Sequence, residues 1–225
     1  MSERNVKQAG FTLIEVLVVV SILGVLMGLV SILVLRASDK QKKSQTELLV
    51  RSYLPNAIER YLLEFKRLPP MTLKELNDSS SRFKDLNLSD NSVNECIEVL
   101  AVALRHPDLS APLAEDDLGI EKPFVNTDDD VWNQIPEGSG RVEAMEIADS
   151  WGNPIVYISK NAYGKPVTIR NHKGEDVTVE ARKRANGDYY NPTKYQIICL
   201  GDNGVQDIDD STGGDDIMNF KLEEE

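Results

Sequence analysis

The strongest constraint on this chain is an apolar run close to its first residue. Residues 11–35, FTLIEVLVVVSILGVLMGLVSILVL, contain a single charged residue, Glu15. As a helix the run spans roughly 37 Å, more than the hydrocarbon core of a bilayer, which is about 30 Å thick. Its Leu, Ile, Val and Phe side chains contribute about −5 to −11 kcal/mol to insertion, which outweighs the ~3 kcal/mol cost of a carboxylate. We therefore expect a transmembrane helix over residues 11–35.

A secretory signal peptide is the alternative for this run. Its apolar region would be about 7–15 residues long and would precede a small-residue cleavage site. The run here is longer, and the following LVLRASDK is a poor cleavage site. The small residue precedes the run instead, at Gly10. The pattern favours a leader over residues 1–10 followed by a membrane anchor.

A second helical pattern continues beyond the apolar run. Residues 36–67 begin with a basic stretch and then place apolar side chains four residues apart, as in Tyr53, Ala57, Tyr61 and Phe65 or Leu54, Ile58 and Leu62. This spacing predicts one apolar stripe on an amphipathic helix. Pro55 should kink this helix, and RLPP at 67–70 should end it. A membrane tether alone would not need the second stripe.

The remaining residues, 68–225, form the predicted globular domain. Residues 71–148 are mixed and polar and include a loop at 110–130 that is rich in Pro and Asp; after DSWGNP at 149–154 the apolar period changes to two. The predicted elements are short helices at 72–76 and 93–104, strands at 155–159 and 194–201, and a hairpin over 167–182. A helix stripe followed by antiparallel strands predicts an α+β fold, with the second half of the long helix packed on a small antiparallel sheet.

Charge, cysteines and motifs exclude several functions. The net charge is −12 and the pI is near 4.7, which argues against nucleic acid as a partner. The two cysteines form no CxxC pair; Cys199 lies in an apolar stretch and is expected to be a buried thiol, with a Cys96–Cys199 disulfide as the open alternative. His106 and His172 fall in predicted loops, and no hydrolase, metalloprotease or phosphate-loop motif is present. We expect no enzyme.

Four short segments resemble a known family. GFTLIEV at 10–16 resembles the cleavage and methylation site of type IV pilins and type II secretion pseudopilins: a small residue, then Phe, then Glu at the fifth place of the mature chain. NECIEVL at 94–100, DSWGNP at 149–154, and LGDNG with GGDDI within 200–217 resemble the major pseudopilin of type II secretion.

The resemblance implies a life cycle. A prepilin peptidase would cut after Gly10, and Phe11 would become the N-methylated first residue. The subunit would cross the bacterial inner membrane once, with its N-terminus cytoplasmic and its C-terminal domain periplasmic. An inner-membrane assembly platform would then extract it into a helical filament with other copies and with minor pseudopilins.

In this setting Glu15 gains a physical role. A carboxylate in an apolar bundle favours an arrangement in which it has a cationic partner. The resemblance implies that this partner is the amine of Phe11 in a neighbouring subunit, so Glu15 would fix the register of assembly. The alternative is a carboxylate that lies at the interface or is protonated there. Gly24 and Gly28 have the spacing of close helix–helix contact, or are ordinary glycines of a membrane helix.

The family's major pseudopilins bind calcium in the loop after the last strand, and the acidic loop at 201–217 has suitable chemistry because Ca²⁺ prefers oxygen ligands. The resemblance assigns the ligands to the Leu200 carbonyl, Asn203, Asp215 and Asp216. Asp207, Asp209 and Asp210 are spare candidates. The alternative is a solvated acidic loop. Trp151 and Phe220 are expected to be packing anchors.

Other functions remain open at this point. A type IV pilin for adhesion, twitching or DNA uptake would share the N-terminal motif. A membrane-anchored binding or sensor module, or a tethered enzyme, would explain the anchor, but neither would need the Gly10–Phe11 site or the second apolar stripe.

Overall fold

The computed structural model describes residues 13–79, 92–105, 109–128, 145–207 and 214–222. The helices are α1 (Leu13–Leu48), a π-helical turn (Leu49–Tyr53), α2 (Leu54–Phe65), α3 (Leu73–Ser79) and α4 (Glu95–Leu104), with 3₁₀ turns at Glu115–Leu118 and Lys160–Ala162. The strands are β1 (Phe124–Val125), β2 (Glu146–Ile147), β3 (Val156–Ser159), β4 (Val167–Arg170), β5 (Asp176–Val179), β6 (Tyr195–Cys199) and β7 (Ile217–Met218). The chain divides into two compact units, residues 1–41 and 42–225. The long N-terminal helix and the antiparallel strands confirm the α+β prediction.

The described part of the N-terminal unit is residues 13–41, all of which lie in α1. Within the described residues, one helix, Leu13–Phe65, is long and apolar enough to cross a membrane, and none of its most apolar window is buried. The hydroxyls of Ser21 and Ser31 donate to the carbonyls of Leu17 and Met27, at 2.8 and 2.9 Å. These bonds satisfy the two hydroxyls inside the helix, as an apolar environment requires.

The amphipathic stripe is confirmed in α2. Leu54, Ala57, Ile58 and Tyr61 are buried, as the four-residue spacing predicts. The irregularity expected at Pro55 takes the form of the π-helical turn just before it, where the Leu54 N–H donates to the Leu49 carbonyl. Since proline has no N–H to donate, the wider turn accommodates it without ending the helix.

Helix α2 ends close to the predicted RLPP stop. Lys66 adopts a left-handed conformation, with φ of 55°, and its N–H donates to the Leu62 carbonyl at 2.9 Å. This geometry closes the last turn of the helix.

In the described part of the chain, three small antiparallel sheets replace the single sheet of the prediction. The central sheet has the strand order β3–β6–β7, and the other two are β1–β2 and the β4–β5 hairpin. The predicted strands and hairpin are present, whereas β1, β2 and β7 were not predicted. Each of these three strands has two residues, which is too short to show an alternating pattern.

The core of the domain lies between the helices and the central sheet. The π-helical turn contacts β6 and β7, α2 contacts α4, and α4 contacts β2 and β3. The Arg51 guanidinium also donates to the Met218 carbonyl in β7 at 3.2 Å. The second half of the long helix therefore packs on the central sheet as predicted.

One further expectation needs correction, and one open alternative is decided. The segment 110–130 is not loop throughout, because it contains the 3₁₀ turn Glu115–Leu118 and strand β1. The possible Cys96–Cys199 disulfide is absent: both cysteines are free and buried. The expectation of a buried Cys199 thiol is confirmed, and burial raises the pKa of the Cys96 thiol to about 12.

Candidate functional site: the N-terminal motif and the acidic loop

The processing and assembly residues lie at the start of α1. Gly10 and Phe11 are outside the described residues, and the described helix begins at Leu13. Glu15 occupies the first turn of α1 and is exposed. A Cβ atom built at Gly24 or Gly28 would meet no other part of the described chain within 4 Å, so both glycines face open space.

Strand pairing brings the two ends of the acidic loop together. In the register of β6 and β7, Cys199 lies opposite Ile217, so the chain that leaves β6 runs beside the chain that enters β7. Gly201, with φ of 62°, lies at this junction, and a Cβ atom there would come 2.5 Å from the Asp215 side chain. The close approach therefore requires glycine at this position.

Three carboxylates meet at the junction. Asp207, Asp215 and Asp216 each offer an oxygen, and these atoms lie within 4.8 Å of one another. Backbone N–H groups hold them in place: Asp202 and Asn203 donate to Asp215 Oδ2 at 2.5 and 3.0 Å. The Asp207 N–H donates to Asp216 Oδ2 at 3.0 Å, and the Asp215 N–H donates to Asp207 Oδ2 at 2.8 Å.

Two carboxylates of this cluster each have one buried oxygen that makes no hydrogen bond within the described residues. These oxygens are Asp215 Oδ1 and Asp216 Oδ1. Burial raises the pKa of Asp216 to about 7, and the charges of Asp207 and Asp215 act in the same direction, whereas the Asp207 N–H and Arg182 lower it. A hard cation would satisfy these acceptors and neutralise the repulsion, so the three aspartates fit calcium.

The remaining predicted ligands are placed differently. The Leu200 carbonyl accepts a hydrogen bond from the Gly204 N–H at 3.2 Å. Asn203 Oδ1 accepts from the Val205 N–H at 2.8 Å, and the amide nitrogen of Asn203 donates to Asp207 at 3.2 Å. Asp209 and Asp210 lie outside the described residues. The structure therefore brings Asp215 and Asp216 together with the spare candidate Asp207, and the ligand set stays a prediction.

The β4–β5 hairpin contacts the acidic loop. These contacts were not predicted from the sequence. Gln206 exchanges two hydrogen bonds with the backbone of Glu180, at 3.0 and 2.8 Å. Lys173 Nζ donates to the Asn203 carbonyl at 2.8 Å, and Arg182 donates to the Asp207 carbonyl. These four side-chain hydrogen bonds hold the loop against the hairpin, and no sequence pattern predicts them.

The DSWGNP turn supports the loop from the other side. Asp149 Oδ1 accepts from the N–H groups of Trp151 and Asn153, at 2.8 and 2.9 Å. The amide of Asn153 donates to the Gly201 carbonyl at 2.6 Å, and the Cys199 thiol donates to Asp149 Oδ2 at 2.9 Å. Burial raises the pKa of the Asp149 carboxyl. The motif thus positions the first residue of the acidic loop.

The two aromatic anchors behave as predicted. Trp151 is half-buried and packs against the hydrophobic core. Phe220 also packs on the core, and its ring stacks on that of Tyr190 at 4.6 Å.

A second carboxylate group was not predicted. Oxygens of Glu98, Asp128 and Glu146 lie within 4.8 Å of one another. Glu146 Oε1 accepts from the amide of Asn94 at 2.6 Å and from the Thr127 N–H at 3.0 Å. Burial raises the pKa of Glu146 to about 7. Since Glu146 is held by Asn94 before α4 and by Thr127 after β1, this carboxylate joins elements that are distant in sequence.

Comparison with known proteins agrees with the N-terminal reading. The family model of the prokaryotic N-terminal methylation motif matches residues 5–31, which include the Gly10–Phe11 junction and Glu15. Neither a curated protein nor a solved structure matches the chain.

The motif defines the class of protein. Together with the exposed apolar helix that overlaps it, the match indicates a type IV pilin-like prepilin subunit. Prepilins of this class are structural, are processed by a peptidase, are anchored by the apolar helix and assemble with copies of themselves into a filament. The match ends at residue 31, so it concerns the N-terminal unit only. It does not distinguish a pseudopilus from a type IV pilus.

Proposed function

We propose that the chain is a structural subunit of a type II secretion pseudopilus. The observation that carries the filament part of the proposal is the methylation motif at residues 5–31 on an apolar helix whose second half packs against an α+β domain. The subunit is made as a prepilin, cleaved after Gly10, N-methylated at Phe11 and assembled into a helical filament that serves protein secretion. It has no catalytic role.

In this proposal the N-terminal unit anchors the subunit in the membrane before assembly and pairs it with its neighbours during assembly. The apolar helix holds the subunit in the inner membrane, with the N-terminus cytoplasmic and the domain periplasmic. Prepilin peptidase, the inner-membrane assembly platform and the minor pseudopilins are its partners. Glu15 then pairs with the methylated amine of Phe11 in the next subunit, because a low-dielectric bundle favours arrangements in which each charge meets its opposite.

The acidic loop supports a pseudopilus over an adhesive, twitching or DNA-uptake pilus. Asp207, Asp215 and Asp216 form a cradle with these two buried oxygens, which suits calcium. A bound calcium ion would neutralise the mutual repulsion of these three carboxylates. The aspartates would hold the ion, and through it the end of β6 would be tied to the start of β7.

The first experiment tests processing. The full chain is expressed with and without a prepilin peptidase, and its intact mass is measured. With the peptidase we expect a chain that begins at a methylated Phe11, and Gly10→Val should block cleavage because the site needs a small residue. Ala37→Val, in the poor cleavage site that follows the apolar run, is the matched control and should be processed normally. A chain that stays uncut, or is cut near Ala37, refutes the prepilin assignment.

The second experiment separates the two kinds of filament. The gene is deleted in its own host, and both secreted proteins and surface motility are measured. A pseudopilus subunit should be needed for secretion and not for twitching, adhesion or DNA uptake. The opposite pattern would make the chain a type IV pilin, and the processing result would still stand.

A further inference from the structure

A basic and aromatic surface stands out on this acidic chain. Residues 160–194 contain eight Lys or Arg and four Asp or Glu, whereas the chain as a whole carries a net charge of −12. We call the surface formed by Lys160, Tyr163, Lys183, Tyr189 and Lys194 the basic–aromatic surface. None of these residues belongs to the acidic loop or to the N-terminal motif.

These five residues are contiguous in space. The Lys160 N–H donates to the Lys194 carbonyl at 2.9 Å, which places the two lysines side by side. The rings of Tyr163 and Tyr189 lie 4.7 Å apart, and Lys183 Nζ lies 4.9 Å from the centre of the Tyr189 ring. Backbone pairing of Lys183 with Tyr189 fixes this arrangement.

The surface is open to solvent. Lys160 and Lys183 are exposed, and both tyrosine rings are half-buried. The Tyr163 hydroxyl donates to the Asn191 carbonyl at 2.9 Å, which ties the two turns together. Lys194 forms an ion pair with Glu59 at 2.6 Å, and the two side chains are 56% and 39% exposed, so solvent screens the pair. Tyrosine is enriched at protein interfaces, whereas charged residues are depleted from the interface core and lie at its polar rim.

An acidic counterpart lies elsewhere on the same domain. The 3₁₀ turn Glu115–Leu118 exposes Glu115, Asp116 and Asp117; we call these three residues the acidic turn. The turn borders a surface groove of about 580 Å³, which is lined by Tyr53, Asn56, Arg60, Leu113, Asp116 and Asp117.

The acidic turn is held firmly in place. Gly119, with φ of 66°, follows the turn, and a Cβ atom there would come 2.6 Å from the Tyr53 ring. The Ala114 N–H donates to Asp117 Oδ2 at 2.9 Å and caps the turn. The groove is therefore preformed beside the carboxylates.

The two surfaces face different directions. Glu59, which pairs with Lys194, and Arg60, which lines the groove, are consecutive in α2. Consecutive helical residues point roughly 100° apart, so the two surfaces lie on different sides of α2. A contact between unlike surfaces of two copies is heterologous, and repeated contacts of this type build helical filaments.

We propose that the basic–aromatic surface of one copy docks on the acidic turn and groove of the next copy. The lysines meet the carboxylates, and the tyrosine rings contact the groove walls. Charge complementarity of this kind selects the partner and its orientation. The inference rests on the proposed filament function and specifies which faces of the domain meet in the filament.

The test uses the full chain under conditions in which it assembles. Isotopically light and heavy chains are mixed in equal amounts and treated with a carbodiimide, which joins a lysine directly to a contacting carboxylate. Mass spectrometry then identifies linked peptides of mixed isotope, which come from two different copies. We expect mixed links from Lys160, Lys183 or Lys194 to Glu115, Asp116 or Asp117.

Charge reversal sharpens the test. Lys160→Glu with Lys183→Glu should lower the yield of these links and of sedimenting filaments by about tenfold, equivalent to ~1.4 kcal/mol. Glu115→Lys with Asp116→Lys should do the same and leaves the Asp117 cap in place. A mixture of the two reversed variants should restore the contact. Lys66→Glu with Lys74→Glu is the matched control, since it changes the charge equally at exposed sites elsewhere, and thermal melting checks that every variant folds.

The outcomes separate the inference from the proposed function. If filaments form but mixed links lie on other faces and charge reversal has no effect, the docking contact is wrong and the filament function stands. If no mixed links form anywhere, the proposed filament fails as well. If Lys160→Glu with Lys183→Glu lowers binding to anionic but not to neutral lipid vesicles and leaves the links between copies unchanged, the surface serves a membrane and the inference is overturned.

Discussion

The N-terminal helix and the domain treat apolar side chains in opposite ways. Among the described residues, twenty large hydrophobic side chains are exposed, and seventeen of them lie between residues 13 and 35. In the described part of the domain, the exposed large hydrophobic side chains are Leu48, Leu63 and Val205. A soluble surface does not normally carry so many contiguous apolar side chains.

This difference shows where each unit obtains its stability. Fully buried side chains come from the π-helical turn and from most helices and strands of the domain, so the domain satisfies its own hydrophobic requirement. The helix at 13–35 buries nothing within the chain and depends on lipid or on other copies. Substitutions in the two units should therefore affect different measurements.

The largest effect is expected at a buried position of the amphipathic stripe. Ile58→Ala should lower the free energy of unfolding of the soluble domain, residues 36–225, by about 2–5 kcal/mol, because it removes methyl groups and leaves a cavity. Ile58 is fully buried, whereas Leu63 on the same helix is 67% exposed. Leu63→Ala is the matched control and should change stability by less than ~0.5 kcal/mol in urea denaturation. Equal losses would contradict the burial pattern.

The next effect concerns calcium and the acidic loop. An ion that binds only the folded domain stabilises it by about 2.7 kcal/mol at a hundredfold excess over the dissociation constant. For a domain of this size that corresponds to a melting temperature higher by roughly 5–11 °C with calcium than with chelator. Magnesium should substitute poorly, because Mg²⁺ demands near-ideal octahedral geometry and dehydrates reluctantly.

Two double variants decide whether the aspartates hold the ion. Asp215→Ala with Asp216→Ala should remove the calcium-dependent shift. Glu115→Ala with Asp116→Ala removes the same charge from the exposed acidic turn and should keep it. If the wild-type domain melts at the same temperature with calcium and with chelator, the loop is a solvated acidic surface and the pseudopilus assignment loses its main support.

Much of the fold could be predicted because long periodic elements carry their own signal. The four-residue spacing from Tyr53 to Phe65 predicted the buried face of α2, and alternation on both sides of HKGE predicted the β4–β5 hairpin. The two-residue strands β1, β2 and β7 could not be predicted, because pairing with distant residues defines them. The π-helical turn has a local cause in Pro55, but its wider geometry is not visible in the sequence.

The acidic loop shows the limit more clearly. Its composition indicated a cation site, but which carboxylates meet depends on the register of β6 with β7. That register brings Asp207 to Asp215 and Asp216, and it turns the amide nitrogen of Asn203 toward Asp207. The supporting contacts of Lys173 and Arg182 come from the hairpin and were not foreseen.

A smaller effect is expected from Glu146, whose carboxyl lies inside the domain. Its folded pKa is about 7, mainly because of burial, with the Asp128 charge acting in the same direction. An unfolded Glu has a pKa near ~4.3, so the favourable contribution of the protonated form is complete below that pH and is lost as pH rises through about 7. The wild-type domain should therefore lose stability between pH 5 and pH 8.

Glu146→Gln isolates this contribution. The amide oxygen can still accept from Asn94 and Thr127 but does not ionise. The variant should match the wild-type domain at pH 5 and exceed it by ~1–3 kcal/mol at pH 8 in urea denaturation. Glu121→Gln, which removes one charge at an exposed position, is the control. Parallel pH curves for wild type and Glu146→Gln would show that burial of this carboxyl does not limit stability.

The smallest effect in free energy is expected at Glu15, and it should appear only in assembly. Glu15→Gln keeps the size of the side chain and removes its charge, so membrane insertion and domain melting should not change. The pairing with the methylated amine of a neighbouring Phe11 would be lost, and we expect the sedimented filament fraction to fall by about tenfold, which corresponds to ~1.4 kcal/mol. Ser21→Ala is the matched control within the same segment, because the Ser21 hydroxyl bonds to the Leu17 carbonyl of its own helix. Filaments of Glu15→Gln at wild-type yield would show that the register of assembly is set elsewhere. A change in domain melting would show that the two units are not independent in stability.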